Sequence, residues 1–548
     1  MRAPNSRIVL LIGKIALFTA LLSACGGGDK TSTSSDVVHP TPVEASRLLS
    51  QATFGPSVAE INRLSNMGTG TWFNEQFAKP QTLHFVYMNA AQNTLGPGQR
   101  LSEDQFFESF WRQAVNGDDQ LRQRVAFALS QIFVISYQNS TLAYNPRGVA
   151  HYYDMLGAYA FRNFRDLLQA VTLHPMMGNY LNALGNEKTA GTLEPNQNYA
   201  REIMQLFTIG LRQLNPDGTD TTAPATETYT SDDIRGLAMV FTGWSWAGPD
   251  KSQGRFFGWQ ERDPNRDWLP MQNYPDYHET LPKSFLGVTI PANTSGEASL
   301  KIALDTLFNH PNVGPFIGRE LIQRLVTSNP SPAYVGRVAA AFADNGQGVR
   351  GDMKAVIKAV LLDPEARTVP ASNTAGKLRE PVLRLANWMR AFHATSSSGR
   401  FQMGTLDDPA RELAQTPMRA PSVFNFFRPE YVPPNSNISA AGKFSPEMQV
   451  TEEMSVTGYL NFMRDAIQNG TGISNDIKAD YTAELALAGT PELLVDRINL
   501  LLMQNQMSST LRSQILAAIN SNPGNSAINK VYLAIFLTMA SPEYIVQK

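Results

Sequence analysis

A mainly α-helical fold is predicted: one large multi-helix globular domain with two long irregular loop regions and a few short strands. Three observations predict it. Apolar residues recur at helical spacing in segment after segment, and no sustained period-two alternation competes with them. Proline, glycine and capping serines mark many of the segment ends. The 548 residues are 43% hydrophobic, which is ample for a large core. Only 17% are charged, below the roughly 25% usual in globular proteins, so neutral polar groups must carry much of the surface. The net charge is −2. With no strongly basic block, a nucleic-acid partner is not expected.

The first 24 residues read as a signal peptide. Arg2, Arg7 and Lys14 precede a short apolar run at 15–22, too short to span a bilayer. The run ends in Leu22-Ser23-Ala24-Cys25, which resembles the bacterial lipobox. Cys25 is the only cysteine, so it fits a lipidation site and permits no intrachain disulfide. Gly26 rather than Asp follows it, which by resemblance to bacterial sorting rules favours the outer membrane. A diacylated Cys25 would anchor the chain to the cell envelope without spanning the membrane. Residues 25–42 then form a Gly/Ser/Thr-rich tether containing His39, and residues 43–548 form the domain.

From residue 43 three short helices are expected, with Ser57 as a cap and Gly68 as a stop. Helices at 101–115 and 121–137 follow, the second apolar on most of its circumference and therefore central. A helix at 164–184 carries Pro175 as a kink or break. Two helices within 194–211 and 229–244 form the most motif-rich part of the chain. The first irregular region, 247–296, is rich in Gly, Pro, Asp and aromatics, with short strands expected near 255–259 and 284–290. Helices resume at 300–308, 314–326, 333–343, 353–362 and 378–393. A second irregular region at 417–444 is loaded with Pro, Asn and Phe. Helices at 446–465, 491–503, 509–519 and 527–539 complete the chain. The segments starting at 334 and 494 echo one another as helix–turn–helix hairpins, but two copies do not make a solenoid.

Eight runs taken together resemble the domain-of-unknown-function family 1800. They are SRLLSQATFGPS (46–57), LRQRVAFALSQIFVIS (121–136), NYAREIMQLFTIGL (198–211), YTSDDIRGLAMVFTGW (229–244), HETLPKSFLG (278–287), HPNVGPFIGRELIQRLV (310–326), KLREPV (377–382) and LTMASPEY (537–544). The resemblance implies an exported, mostly helical bacterial protein, often encoded beside a member of unknown-function family 1501. It implies no catalytic set. Where the family commonly has an acid, this chain has Gln197, and where it often has Asp after the loop histidine, this chain has Glu279. Gln197 can be neither an anionic ligand nor a base.

Four groups of residues are candidates for function. On a helical wheel Asn198, Arg201, Glu202, Gln205, Thr208 and Arg212 fall in a stripe of roughly 120°, with Tyr199 on the other side. The stripe is a solvated face, a buried polar network or a site, and burial decides which. His278, Glu279 and Lys283 lie in the first irregular region beside Tyr274 and Tyr277, suited to acid–base chemistry or to bonding the backbone. Arg379 and Glu380 precede Pro381 at a helix start, where a carboxylate also suits the dipole. Trp244 and the loop aromatics suit either sugar stacking or core packing. Standard nucleophile, phosphate-loop and metal signatures are absent from the sequence, and no cofactor is indicated.

The expected function is a lipid-anchored envelope protein that binds or organises a polysaccharide or a partner protein. Its candidate binding residues are Asn198, Tyr199, Arg201, Glu202, Trp244, His278, Lys283 and Arg379. The rival is a hydrolase using Glu202 or Glu380 with His278, stabilised by Arg201 or Lys283. Convergence of these groups on one pocket favours the rival.

Overall fold

A helix at Pro42–Ala52, buried over most of its length, ties distant parts of the chain together. Thr41 caps it in a capping box with Glu44, and Pro42 opens it where its missing N–H costs nothing. Ser46 donates to the Leu500 carbonyl at 2.7 Å, and Arg47 donates to the Ala366 carbonyl at 2.9 Å. The computed structural model describes residues 38–259, 263, 265–370, 375–521 and 526–548. The segments expected as signal peptide and first part of the tether, with Cys25, lie outside the described residues.

Twenty-six α-helical segments are present among the described residues, with four two-stranded antiparallel ladders between them. The fold is mainly α. One continuous apolar core runs from Ala45 to Tyr544. The helices Met353–Leu362 and Pro491–Met503 stand where the pattern places them. Both echo segments are helical hairpins, Pro332–Ala343 with Met353–Leu362 and Pro491–Met503 with Ser509–Asn520. Pro175 breaks the chain into Phe164–Leu173 and Pro175–Tyr180. Among the described residues no helix is long and apolar enough to cross a membrane.

Four elements differ from the expectation, each for a physical reason. The central helix Gln120–Ser130 stops seven residues before 137. Beyond it the backbone finds tertiary partners: the Phe133 carbonyl accepts from the Tyr152 hydroxyl, and Tyr137 N–H donates to the Met418 carbonyl. The motif helix spans only Asn198–Gln205. Ile209 and Gly210 N–H both donate to the Met204 carbonyl, and Gly210 takes the left-handed φ of 69° that reverses the chain. Residues 377–378 pair with Val546–Gln547 as a strand, so the next helix begins at Pro381. The segment expected as a strand near 255–259 instead holds the one-turn helix Gln253–Phe256, while 284–290 does form a hairpin, Lys283–Phe285 with Val288–Ile290.

Candidate functional site

A cavity of 480 Å³ lies between the end of the Asn198–Gln205 helix, the Val313–Leu325 helix and the second irregular region. Its formation starts at Gly210. A Cβ there would come within 2.8 Å of the Phe316 ring, so glycine both permits the turn and leaves room for the ring. Phe316, Phe424, Phe444, Leu206 and Val432 supply apolar walls, while Gln131, Gln205 and Gln323 supply amides. The cavity opens to solvent where Leu211 and Phe424 are exposed. Four arginines line it against two glutamates. Arg212 pairs with Glu430 and with Asp220, the latter at 3.4 Å, and Arg324 pairs with Glu320 at 2.5 Å.

Beneath the cavity is a buried polar network. Gln131 lines the cavity and donates its amide to Glu380 Oε2 at 2.5 Å, and Gln415 donates to the same oxygen at 2.7 Å. Lys377 Nζ lies 3.2 Å from Glu447 and 3.8 Å from Glu380, and donates to the Arg324 carbonyl at 2.9 Å. Ser328 donates to Glu447 at 3.2 Å. Two carboxylates thus share one ammonium, all three groups being essentially inaccessible to water. Burial pushes the Glu447 carboxyl up from its ordinary value, with Lys377 opposing. Burial likewise pulls Arg124, which donates to the Arg324 carbonyl, down to about 10. Glu380 Oε1, Gln131 Oε1 and Arg324 Nε remain buried without a hydrogen-bond partner. Such a network is costly to break and specifies one packing. Among the described residues no group of three His, Cys, Asp or Glu side chains is placed to hold a metal ion.

A family model described as "Protein of unknown function (DUF1800)" matches residues 47–546. The chain belongs to the DUF1800 family. No curated protein and no solved structure matches it.

The sequence-predicted residues of this DUF1800 chain go to several places. Asn198 and Arg201 are exposed on the motif helix, and Asn198 donates to Asn182 at 3.3 Å. Tyr199 points into the core and donates to Thr172 at 2.8 Å. Glu202 is 6% exposed, and its Oε2 has no partner. Burial pushes its carboxyl up, opposed by Arg201. Thr208 and Arg212, beyond the shortened helix, leave the stripe: Thr208 is buried and bonds the Ile203 carbonyl, whereas Arg212 reaches the cavity. The stripe is therefore exposed at one end and buried at the other.

The loop candidates form a separate cluster. His278 Nδ1 donates to the Thr242 carbonyl at 2.9 Å, and its Nε2 meets Ser299 Oγ at 3.3 Å. Burial pulls its imidazole below the ordinary range. Glu279 accepts from the Thr189, Thr280 and Leu281 amides. Burial raises its carboxyl, but these bonds outweigh it and hold the group low. Lys283 is fully buried and donates only weakly to the Leu281 carbonyl, at 3.4 Å. Trp244 is buried in the ladder with Asn273. Arg379 turns away from Glu380, donating to the Leu502 carbonyl and lying 4.6 Å over the Tyr544 ring.

Glu202, His278, Glu279, Lys283, Arg379 and Glu380 are buried, but with Arg201 they do not converge on one pocket. Glu380 touches the cavity lining through Gln131, and Glu202 sits one turn before Gln205 and Leu206 on the same helix face. Gln131, Glu320, Arg324, Lys377 and Glu447 escaped the sequence reading. A signal existed for two pairs: Glu320 with Arg324 has i,i+4 spacing, and Lys377 with Glu380 has i,i+3 spacing, both inside family motifs.

Proposed function

We propose that this DUF1800 protein is a lipid-anchored binding protein of the bacterial cell envelope. Cys25 carries the anchor, most consistently in the outer membrane, and the Phe316/Phe424 cavity receives another envelope component. The observation that carries the reading is the cavity itself. Its 480 Å³ lies within the roughly 300–1,000 Å³ of ligand sites, and it mixes apolar walls with a few polar groups. The partner classes are a member of unknown-function family 1501, suggested by the family resemblance, and an envelope polysaccharide. The hydrolase reading keeps one supporting observation, the buried Glu202 carboxyl, whose Oε2 has no hydrogen-bond partner and which precedes the cavity-lining Gln205 and Leu206 by one helical turn. His278 supports it less, because both ring nitrogens face partners in a different part of the fold.

Two measurements test the proposal. Cys25→Ser should move the protein out of the membrane fraction, and unchanged attachment would sink the anchor. Detergent-solubilised full-length wild type, Phe424→Ala and His278→Ala should then be compared for co-purifying proteins and glycans. A component lost with Phe424→Ala but kept with His278→Ala supports the cavity as the seat. Equal recovery from all three would remove it.

A further inference from the structure

We propose that the cavity's ligand is a peptide segment of a partner protein, carrying a large apolar side chain beside a carboxylate. This rests on the reading of the cavity as a binding seat and narrows it to one chemistry. The charge balance argues for the carboxylate. Arg212 is matched by Glu430 and Asp220 and Arg324 by Glu320, and Arg319 helps to hold the Asp217 carboxyl low, but among the described residues neither Arg319 nor Arg428 has a carboxylate within ion-pair distance. Arg319 gives one N–H to the Gly218 carbonyl, and Arg428 stands exposed at the mouth. Two arginines without ion-pair partners at one cavity leave guanidinium N–H groups that an incoming carboxylate can take up.

The walls argue for a peptide around that carboxylate. A purely aliphatic ligand such as an acyl chain would bury the lining glutamine amides and two ion pairs against hydrocarbon, leaving polar groups without partners. A glycan could bond the glutamines and arginines, but its remaining hydroxyls would lie against Phe316, Phe424, Phe444 and the aliphatic walls without partners. A peptide meets both demands: an apolar side chain packs against Phe316 and Phe424, and its backbone amides face the glutamines. Gln131 Oε1 and Arg324 Nε are a further acceptor and donor without partners on lining side chains, lying just beneath the cavity surface.

The test is selection of phage-displayed random dodecapeptides on the detergent-solubilised full-length protein, followed by fluorescence polarisation of an enriched peptide. Enriched sequences should place Asp or Glu next to Phe, Leu or Ile. Binding should weaken about tenfold in Arg428→Glu and again when Arg319→Glu is added, and it should fall with salt. Phe424→Ala should weaken it without changing the urea midpoint. Peptides enriched without a carboxylate, or affinity indifferent to both arginine reversals, would overturn the inference. If soluble peptidoglycan glycan chains bind in the cavity and no peptide does, this inference fails while the envelope-binding reading stands. If neither probe binds and no envelope component is lost with Phe424→Ala, both fail.

Discussion

The two irregular regions look alike in composition, yet they do opposite things with their polar groups. The first, around His278, folds its chemistry inward. His278, Glu279 and Trp244 are held by backbone and neighbouring strands, and Phe256 stacks on Tyr277 with centroids 3.8 Å apart. The second, around Phe424, stays open. It supplies one wall of a cavity whose floor rests on a buried Lys377 shared by two glutamates. Richness in His, aromatics and proline therefore does not mark a site. What separates the regions is whether their polar groups are already spent on each other.

The sharpest way to break this contrast is Lys377→Met. Removing the ammonium leaves Glu380 and Glu447 buried together, and unfolding stability measured in urea should drop by about 3–5 kcal/mol. A loss below about 1 kcal/mol would mean that the floor is not a charged network. Gly236→Ala attacks the other region. Its Cβ would lie 1.7 Å from the Ser284 carbonyl oxygen, so the Lys283–Phe285 strand must move off the Ser231–Val240 helix. A cost of about 1–3 kcal/mol is expected from such overpacking. Retention of the wild-type urea midpoint would show that the first region is looser than described.

His278→Ala leaves the Thr242 carbonyl and Ser299 without a ring partner. It should cost about 1–2 kcal/mol and leave cavity binding untouched. A loss of binding at unchanged stability would reverse the roles assigned to the two regions.

The smallest effect is a divergence with pH. His278 has a folded-state pKa below its ordinary 6.5 because of burial. The unfolded chain therefore binds the extra proton first, and stability from this group is lost as pH falls below 6.5. Glu447 is raised above its ordinary 4.5 by burial. There the folded state holds the extra proton, and stability from this group is lost as pH rises through the folded-state pKa. Hydrogen-exchange protection, corrected for intrinsic rates, should weaken around 278 on acidification and around 447 on alkalinisation. The same pH trend in both segments would contradict the assignment.

Much of the helical framework was legible because its ends carry local chemistry. Asp352 caps Met353–Leu362 and Pro491 opens Pro491–Met503, and both were readable from adjacent residues. The errors fell where distant partners replace local ones, as at Phe133 and Tyr137, whose backbone bonds go to Tyr152 and Met418. Helical spacing alone could not show that 131–136 leaves the helix. At the site, Glu380 was visible as an acid before a proline, but its partners Gln131, Gln415 and Lys377 come from three separate elements. The cavity was less legible still, because its walls join residues from Gln131 to Phe444 that no periodicity links.

The Pro42–Ala52 helix carries one more consequence, for how the chain reaches this state. Ser46 closes a contact with Leu500 across 454 residues, and Arg47 reaches Ala366 across 319. Such separations make the topology non-local, so completion of the core waits on the late-made part of the chain. Until then that first helix has the adjacent Val58–Met67 helix beside it, but the surface that meets Leu500 and Ala366 lacks its final neighbours and is exposed to wrong ones. A chaperone that shields an early amphipathic segment should therefore raise the refolding yield of this protein more than one acting on its C-terminal hairpins.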